Sequence, residues 1–215
     1  MTLAQLLERF HVDSSESLEW QVKYNVAPTL RVPVVVELPQ AKRKAMLMKW
    51  GLVPPWSKGG EYKPLVNLRS DTIQHKPGFT RLLKSARCIV PVDGYFEWKT
   101  EGKSKQPYRF VMKSNGLFGL GGLYGTISLA GGEVLYMVCL ITTEANDVGQ
   151  AVHDRMPVII PPEKEDAWLN PSSKLADYVT CLAPYAGDRM RAYRVSPVMN
   201  SGKIDSPDCV VPLSS

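Results

Sequence analysis

RCIVPVDGYFEW, residues 87–98, is the stretch that decides the fold. An apolar run, Cys88 to Val92, meets Asp93-Gly94, a turn pair, and a second alternating run follows. In that second run Tyr95, Glu97 and Lys99 share one face, because side chains alternate along a strand. Two short strands joined this tightly leave no room for the helix of a parallel crossover unit. Downstream, 99–125 reads as a hairpin followed by a buried strand, with turns at Gly102 and Asn115-Gly116. VLYMVCLITTEAN (134–146) is a further strand, and NDVGQAVHDRM (146–156) a short helix or turn leading into the strand PVII (157–160).

Upstream the same texture holds. Val32, Val34, Val35 and Val36 are β-branched and extended, with prolines at 28, 33 and 39 marking strand ends. AMLMKWGLVPPW (45–56) reads as a strand running into a proline turn, EYKPLVNLRSDT (61–72) as a loop, and 79–84 as a short helix. At the front, Thr2 and Gln5 have capping-box spacing, and Leu3, Leu6, Leu7 and Phe10 form one helical stripe. A polar linker follows at 14–20. Near the end, a polar-faced helix is expected at 163–169, another at 175–182, and a strand at 193–198. Short strands punctuated by Pro and Gly, without βαβ alternation, predict an α+β fold: one compact, strand-rich domain over 1–215.

Composition excludes several classes. A 215-residue chain with 44% hydrophobic and 22% charged residues can bury a sizeable core. Its apolar runs are too short to span a bilayer, and the front lacks the basic segment of a secretory signal, so no membrane partner is expected. Four scattered cysteines (Cys88, Cys139, Cys181, Cys209) with no CxxC pair argue against zinc and fit a reducing, cytoplasmic compartment. No metal or other cofactor is called for, and nothing demands an oligomer, so a monomer is expected. The net charge of +5 is unevenly spread: residues 42–105 hold 14 Lys and Arg against 5 Asp and Glu, while the remainder holds 12 against 16. A basic middle suits an anionic partner, and scattered solvated lysines would give the same count.

Three residues stand out as chemistry-bearing. His153 is one of three histidines and lies beside Asp154 and Arg155; a lone histidine is more often structural, yet imidazole is the side chain best matched to proton transfer near neutral pH. Glu97, between Phe96 and Trp98, is either a desolvated carboxylate suited to acid–base work or a member of a solvated sheet face. Asn67 and Arg69 lie in the basic half, where Asn67 can bind a sugar or base and Arg69 a phosphate, or Asn67 and Asp71 simply make local turn hydrogen bonds. Trp56, on a proline turn, can stack on an unpaired base, whereas Trp50 reads as core. Cys88 lies in an apolar run and reads as a small buried hydrophobe rather than a nucleophile.

The order of these stretches carries a resemblance. YNVAP (24–28), WGLVPPW (50–56), NLRSDT (67–72), RCIVPVDGYFEW (87–98), GGLYG (121–125), LITTEAN (140–146), VHDRMPVII (152–160) and YRVSPVMN (193–200) are similar, in order and spacing, to the SOS response-associated peptidase (SRAP) family. That family comprises abasic-site sensors that crosslink to single-stranded DNA. The resemblance implies barrel-like mixed β-sheets flanked by helices, with a positively charged channel for single-stranded DNA. It implies Asn67, Glu97 and His153 as active-site residues. It also implies Trp56, Arg69, Thr142 and Arg155 as DNA contacts, with Asn25 and Pro28 near the channel. The partner it implies is single-stranded DNA with abasic sites, met in a bacterial cytoplasm and at the nucleoid during DNA damage.

The family chemistry uses a cysteine exposed by removal of the initiator Met. Its α-amine forms a Schiff base with the ring-opened abasic aldehyde, and its thiolate closes a thiazolidine. This sequence departs from the family start, Met-Cys-Gly-Arg-Phe, because residue 2 is Thr. Two expectations follow: a crosslinking enzyme whose true start lies a few codons upstream, or a non-crosslinking binder of single-stranded DNA. A weak variant of the binder would form a transient Schiff base and cleave the strand by β-elimination.

Overall fold

The computed structural model describes residues 1–13, 18–38, 42–54, 56–57 and 63–213. Most of the linker expected at 14–20, the strand-end proline at 39, Pro55 of the proline turn and the start of the loop at 61–72 lie outside those residues. Helix α1 (Leu3–Arg9) begins on the anticipated capping box: the Thr2 hydroxyl accepts from the Gln5 N–H, and the Gln5 side chain accepts from the Thr2 N–H. Leu6 and Phe10 are fully buried, which docks the stripe. Strands β1 (Arg31–Leu38) and β2 (Lys42–Trp50) form an antiparallel pair from Arg31 opposite Lys49 to Leu38 opposite Lys42. Then come β3 (Asn67–Arg69), α2 (Ser70–His75), α3 (Pro77–Ser85), β4 (Arg87–Val92), β5 (Tyr95–Glu101) and β6 (Ser104–Met112). The long strands β7 (Phe118–Ser128) and β8 (Val134–Glu144) follow, with α4 (Asp147–Gln150), β9 (Arg155–Pro157), β10 (Ile159–Ile160), α5 (Glu165–Leu169), α6 (Leu175–Tyr178) and β11 (Met190–Arg194).

The pairings close on themselves. β7 pairs β4, β4 pairs β1, β1 pairs β2, β2 pairs β8, and β8 returns to β7, making a five-stranded barrel. It is mixed, because β2 and β8 run parallel (Lys49 opposite Met137) while the other four contacts are antiparallel. Closure removes the free edges that an open sheet must protect. β3, β9 and β10 attach to β8, β8 and β7 respectively. A second sheet, β11-β6-β5, stands beside the barrel.

The barrel wall is buried on both sides, which explains the unbroken apolar run of β1 rather than an alternating one. Val35, Ile89, Leu123 and Ile141 pack with Leu6, Phe10, Leu82 and Trp168 on the helical side. Val34, Cys88, Leu120 and Val138 pack with Tyr95, Phe110 and Met190, which the second sheet contributes. Tyr95 and Phe110 stack nearly parallel, 4.9 Å apart. Phe96 and Trp98, on the opposite face of β5, join Val195, Met199 and Cys209.

The sequence reading differs from the structure at several places, among them the strand expected at 157–160, which is split into β9 and β10, and the helix expected at 175–182, where α6 gives way to a 3-10 turn (Val179–Leu182). RCIVPVDGYFEW is two strands in two different sheets, so Asp93-Gly94 is the corner between sheets. The part of 61–72 read as loop contains β3 and the start of α2; a three-residue strand whose partner is Leu140 to Thr142 has no local signal. At 163–169 a 3-10 turn (Pro162–Lys164) precedes α5, and Glu165 is buried rather than solvent-facing because Arg9 and Arg43 both pair with it. The last strand is Met190–Arg194, because Pro197 supplies no N–H and starts a 3-10 turn (Pro197–Ser201).

Candidate functional site: two adjoining hollows

A cavity of about 480 Å³ opens between the barrel and the second sheet. Its walls are mostly apolar: Val32, Val90, Leu120, Val138 and Leu140 from the barrel, and Tyr95, Phe96 and Trp98 from β5. Asn67, Glu97, Thr142, Asn25 and Pro28 line it as well, together with Met1 and Asp93. A shallower, polar cleft is lined by Arg69, Glu144, Gln150, His153, Asp154 and Arg155. β3 and β8 run from one hollow to the other. Asn67 lines the cavity and Arg69, two residues on, the cleft; Thr142 and Glu144 do the same along β8. Parallel pairing sets Arg69 opposite Thr142.

Glu97 sits where β5 crosses the cavity, opposite Tyr108 on β6. Burial raises its proton affinity above the ordinary carboxylate value; the His153 imidazole works against that rise and the Asp154 carboxylate adds to it. The two hollows therefore share a field, with Glu97 on the dry side and His153, 44% exposed, on the wet side.

His153 is fixed through its main chain. The Asn146 side chain accepts from the Gly149 N–H and donates to the Tyr185 carbonyl, capping α4. The His153 N–H then bonds to the Gly149 carbonyl at 2.9 Å, and the Ala145 N–H to the Asp154 carbonyl at 2.9 Å. Around the ring, Nδ1 is 3.1 Å from the Arg155 N–H, 3.3 Å from the Arg155 carbonyl and 3.2 Å from Asp154 Oδ1. Unprotonated, Nδ1 accepts from the N–H; protonated, it donates to either oxygen. Nδ1 has a partner in both states.

Both arginines of the cleft are held in place. The Arg69 guanidinium bridges to Asp71 at 2.8 Å, and that hydrogen bond draws the Asp71 carboxyl down to about 2. Arg155 Nη2 donates to the Thr142 carbonyl at 2.7 Å, while its buried Nε has no protein partner. Arg69 remains 60% exposed.

The remaining sequence candidates are placed differently. Asn25 is buried, and its amide donates to the Met199 and Ile204 carbonyls, both at 3.0 Å, so it ties the 199–204 turn to the cavity rim. Pro28 is on that rim beside Thr29, a β-branched residue at φ 78° whose N–H bonds to the Trp50 carbonyl. Trp50 lines the cavity and donates from its indole to the Val66 carbonyl. Trp56 lines neither hollow; it is exposed and packs edge-on against Phe79, its ring against Gly78, where a Cβ would come within 2.7 Å. All four cysteines are buried free thiols, and burial pushes Cys139 up to about 12 and Cys88 well above its usual value. Neither hollow is lined by any of them. Among the described residues, no His, Cys, Asp and Glu group has metal-holding geometry, and no helix is long and apolar enough to cross a membrane.

Sequence reading missed Asp93, Glu144 and Gln150. Asp93 was absorbed by its turn role beside Gly94, and Glu144 and Gln150 become neighbours of His153 only through the turn after β8.

The family described as SOS response associated peptidase (SRAP) matches residues 1–202. Abasic site processing protein YoqW of Bacillus subtilis (strain 168) is 40% identical over 210 residues, 95% of this chain and 93% of that protein. Abasic site processing protein HMCES of Gallus gallus is 28% identical over 227 residues, covering 90% of this chain and 67% of its own length. Among solved structures, a protein from Bacteroides thetaiotaomicron superimposes with a TM-score of 0.77 at 30% identity, over 86% of this chain and 82% of that one.

Proposed function

The chain belongs to the SRAP family, and on that premise we propose that it processes abasic sites in single-stranded DNA through an amine–aldehyde reaction in the cavity. The observation that carries the reading is the pair Glu97 and His153: a carboxyl kept protonatable by burial, in the field of a half-exposed imidazole with a partner in either protonation state. Such a pair suits a reaction that both takes up and releases protons.

An N-terminal α-amine titrates near about 8 when unperturbed, so part of it is free base at neutral pH. It attacks C1′ of the ring-opened sugar, forming a C–N bond; the carbinolamine then loses water as a protonated imine. His153 hands a proton to the departing oxygen, and Glu97 takes one from the attacking nitrogen. Asn67, at the cavity end of β3, orients the sugar hydroxyls, and Arg69 and Arg155 in the cleft hold the flanking phosphates. Thr142 borders the same path, and Asn25, Pro28 and Trp56 shape its outer course.

Closing the imine to a thiazolidine requires a thiol on the amine-bearing residue, adding S–C and moving its proton to nitrogen. In the family pattern an N-terminal cysteine supplies it, after autoproteolytic removal of the initiator Met; in this sequence residue 2 is Thr and the four cysteines are buried. The second reading, single-strand binding with a transient imine and β-elimination, is favoured by that burial.

Incubation with an abasic single-stranded oligonucleotide tests both. The sequence as it stands is expected to give a borohydride-trappable imine and no heat-stable adduct. The same chain with Met-Cys-Gly-Arg-Phe in place of Met1 is expected to give the heat-stable adduct. Absence of any trapped species from both proteins would refute the amine–aldehyde reading.

A further inference from the structure

Beneath the Asp93-Gly94 corner runs a chain of polar contacts that neither hollow's chemistry uses. Asp93 Oδ2 accepts from the main-chain nitrogen of Met1 at 3.2 Å. Its other oxygen accepts from Arg109 Nη2 at 2.9 Å, and Arg109 Nη1 donates to the Tyr193 hydroxyl at 3.0 Å. Tyr193 in turn donates to the Val210 carbonyl at 3.2 Å. The Arg109 side chain is 13% exposed, so its fork is held in a nearly dry setting, whereas Asp93 reaches the surface. A second tether comes from the other side: the Trp20 indole donates to the Met1 carbonyl at 3.3 Å. Residue 1 is therefore gripped at both its nitrogen and its carbonyl, at the wall of the cavity that Glu97 lines.

We propose that Asp93 is a positioning residue, fixing residue 1 and the nitrogen it carries relative to Glu97, with Arg109 and Tyr193 holding its carboxylate in place. The geometry explains why one ladder can set that relation. Arg109 lies opposite Phe96 in the β5–β6 pairing, and Glu97 lies opposite Tyr108, the next pair along. Adjacent pairs project to opposite faces, so the grip on residue 1 and the carboxyl in the cavity stem from neighbouring rungs of one hydrogen-bonded ladder. Tyr193, opposite Arg109 on β11, extends the same rung. Gly94 makes the corner possible by close approach: a Cβ there would lie 2.9 Å from Arg109 Nε and 2.9 Å from the Phe110 carbonyl oxygen.

The catalytic consequence rests on the amine–aldehyde reading; the grip on residue 1 does not. A misplacement of about 1 Å near reacting groups costs on the order of 100-fold in rate. Asp93→Asn keeps the shape and removes the charge. It is expected to lower the rate of borohydride-trapped imine formation at saturating abasic oligonucleotide by about tenfold or more. The half-saturating oligonucleotide concentration should stay unchanged, while the Tm should fall, because Arg109 loses its charged partner in a nearly dry setting. Arg109→Lys, which keeps charge and loses the fork, should give a smaller loss of the same kind. Independently of DNA, Asp93→Asn should speed hydrogen exchange of the Trp20 indole N–H by about fivefold or more, because that bond reports how firmly residue 1 is seated. The indoles of Trp98 and Trp168, bonded to Asn200 and to the Cys88 carbonyl, should not change. Unchanged Trp20 exchange, or a loss confined to half-saturation, overturns the assignment. If neither the unsubstituted protein nor its Met-Cys-Gly-Arg-Phe form traps an imine, the proposed function falls, and the indole exchange still decides whether Asp93 holds residue 1.

Discussion

The cavity and the cleft lie side by side, share two strands, and differ in water. In the cavity, apolar walls leave Glu97 poorly hydrated, and its carboxyl binds a proton more tightly than usual. In the cleft, Arg69 and Asp154 are well exposed, and at Asp71, which Arg69 bridges, a hydrogen bond, not burial, moves the carboxyl down to about 2. One carboxyl is pushed up by loss of solvent and the other drawn down by a cation. The same functional group thus holds its proton more tightly in one hollow and pairs with a cation beside the next.

Substitutions can break this contrast. Glu97→Gln, which keeps the amide-like shape and removes the titration, is expected to lower imine formation on the order of 1,000-fold with single-strand affinity intact. Borohydride trapping alongside a binding titration checks it. His153→Ala should cost less, on the order of 100-fold, because Glu97 remains to move the proton; equal losses in the two variants would mean they act as one unit. Arg69→Ala acts on the wet side only. It should weaken single-strand binding several-fold and reduce the steepness of log K against log salt by about 1, with the trapping rate at saturation preserved.

Glu97 also sharpens the contrast through stability. Its folded-state proton affinity is raised, so between the unfolded and folded values the native state binds more protons and stability falls as pH rises. Glu97→Gln should therefore raise Tm at neutral pH, by roughly 2–4 °C, and the gain should vanish below the ordinary carboxylate range. Thermal melts across pH would show it; a gain independent of pH would exclude desolvation as the cause. The smallest effect is expected at Gly78→Ala, outside both hollows. Trp56 should swing off Phe79 and become more accessible to a fluorescence quencher, while trapping stays as before.

Much of the fold was legible because its signals are local. The capping box of α1, the β-branched run of β1 and the turns around Gly102 and Asn115 each depend on neighbours a few residues away. What was not legible depends on partners far along the chain. β3 exists because Leu140 to Thr142 lie beside it, and Glu165 is buried because Arg9 and Arg43 come to meet it. The site divides the same way. Asn67, Glu97 and His153 were readable as residues able to do chemistry, and Asn67 and Glu97 do line one cavity with His153's charge acting on Glu97. Their separation into a dry and a wet hollow was not readable, since it follows from how the second sheet stands on the barrel. Asn25 shows the limit from the other direction: its amide is spent on a turn almost 180 residues away.

Closure of the barrel also sets a schedule. β8 joins β2, β3, β7 and β9, and through them the walls of both hollows. Until residue 144 has left the ribosome, β3 has no partner, the ring is open between β2 and β7, and Thr142 and His153 do not yet exist beside Asn67. Pairings such as Lys49 with Met137 are also slow to find, because a long loop must close first. A nascent or clipped chain lacking β8 holds Asn67 and Glu97 but no cavity between them. The cavity is thus withheld until the strand that completes its wall has been made.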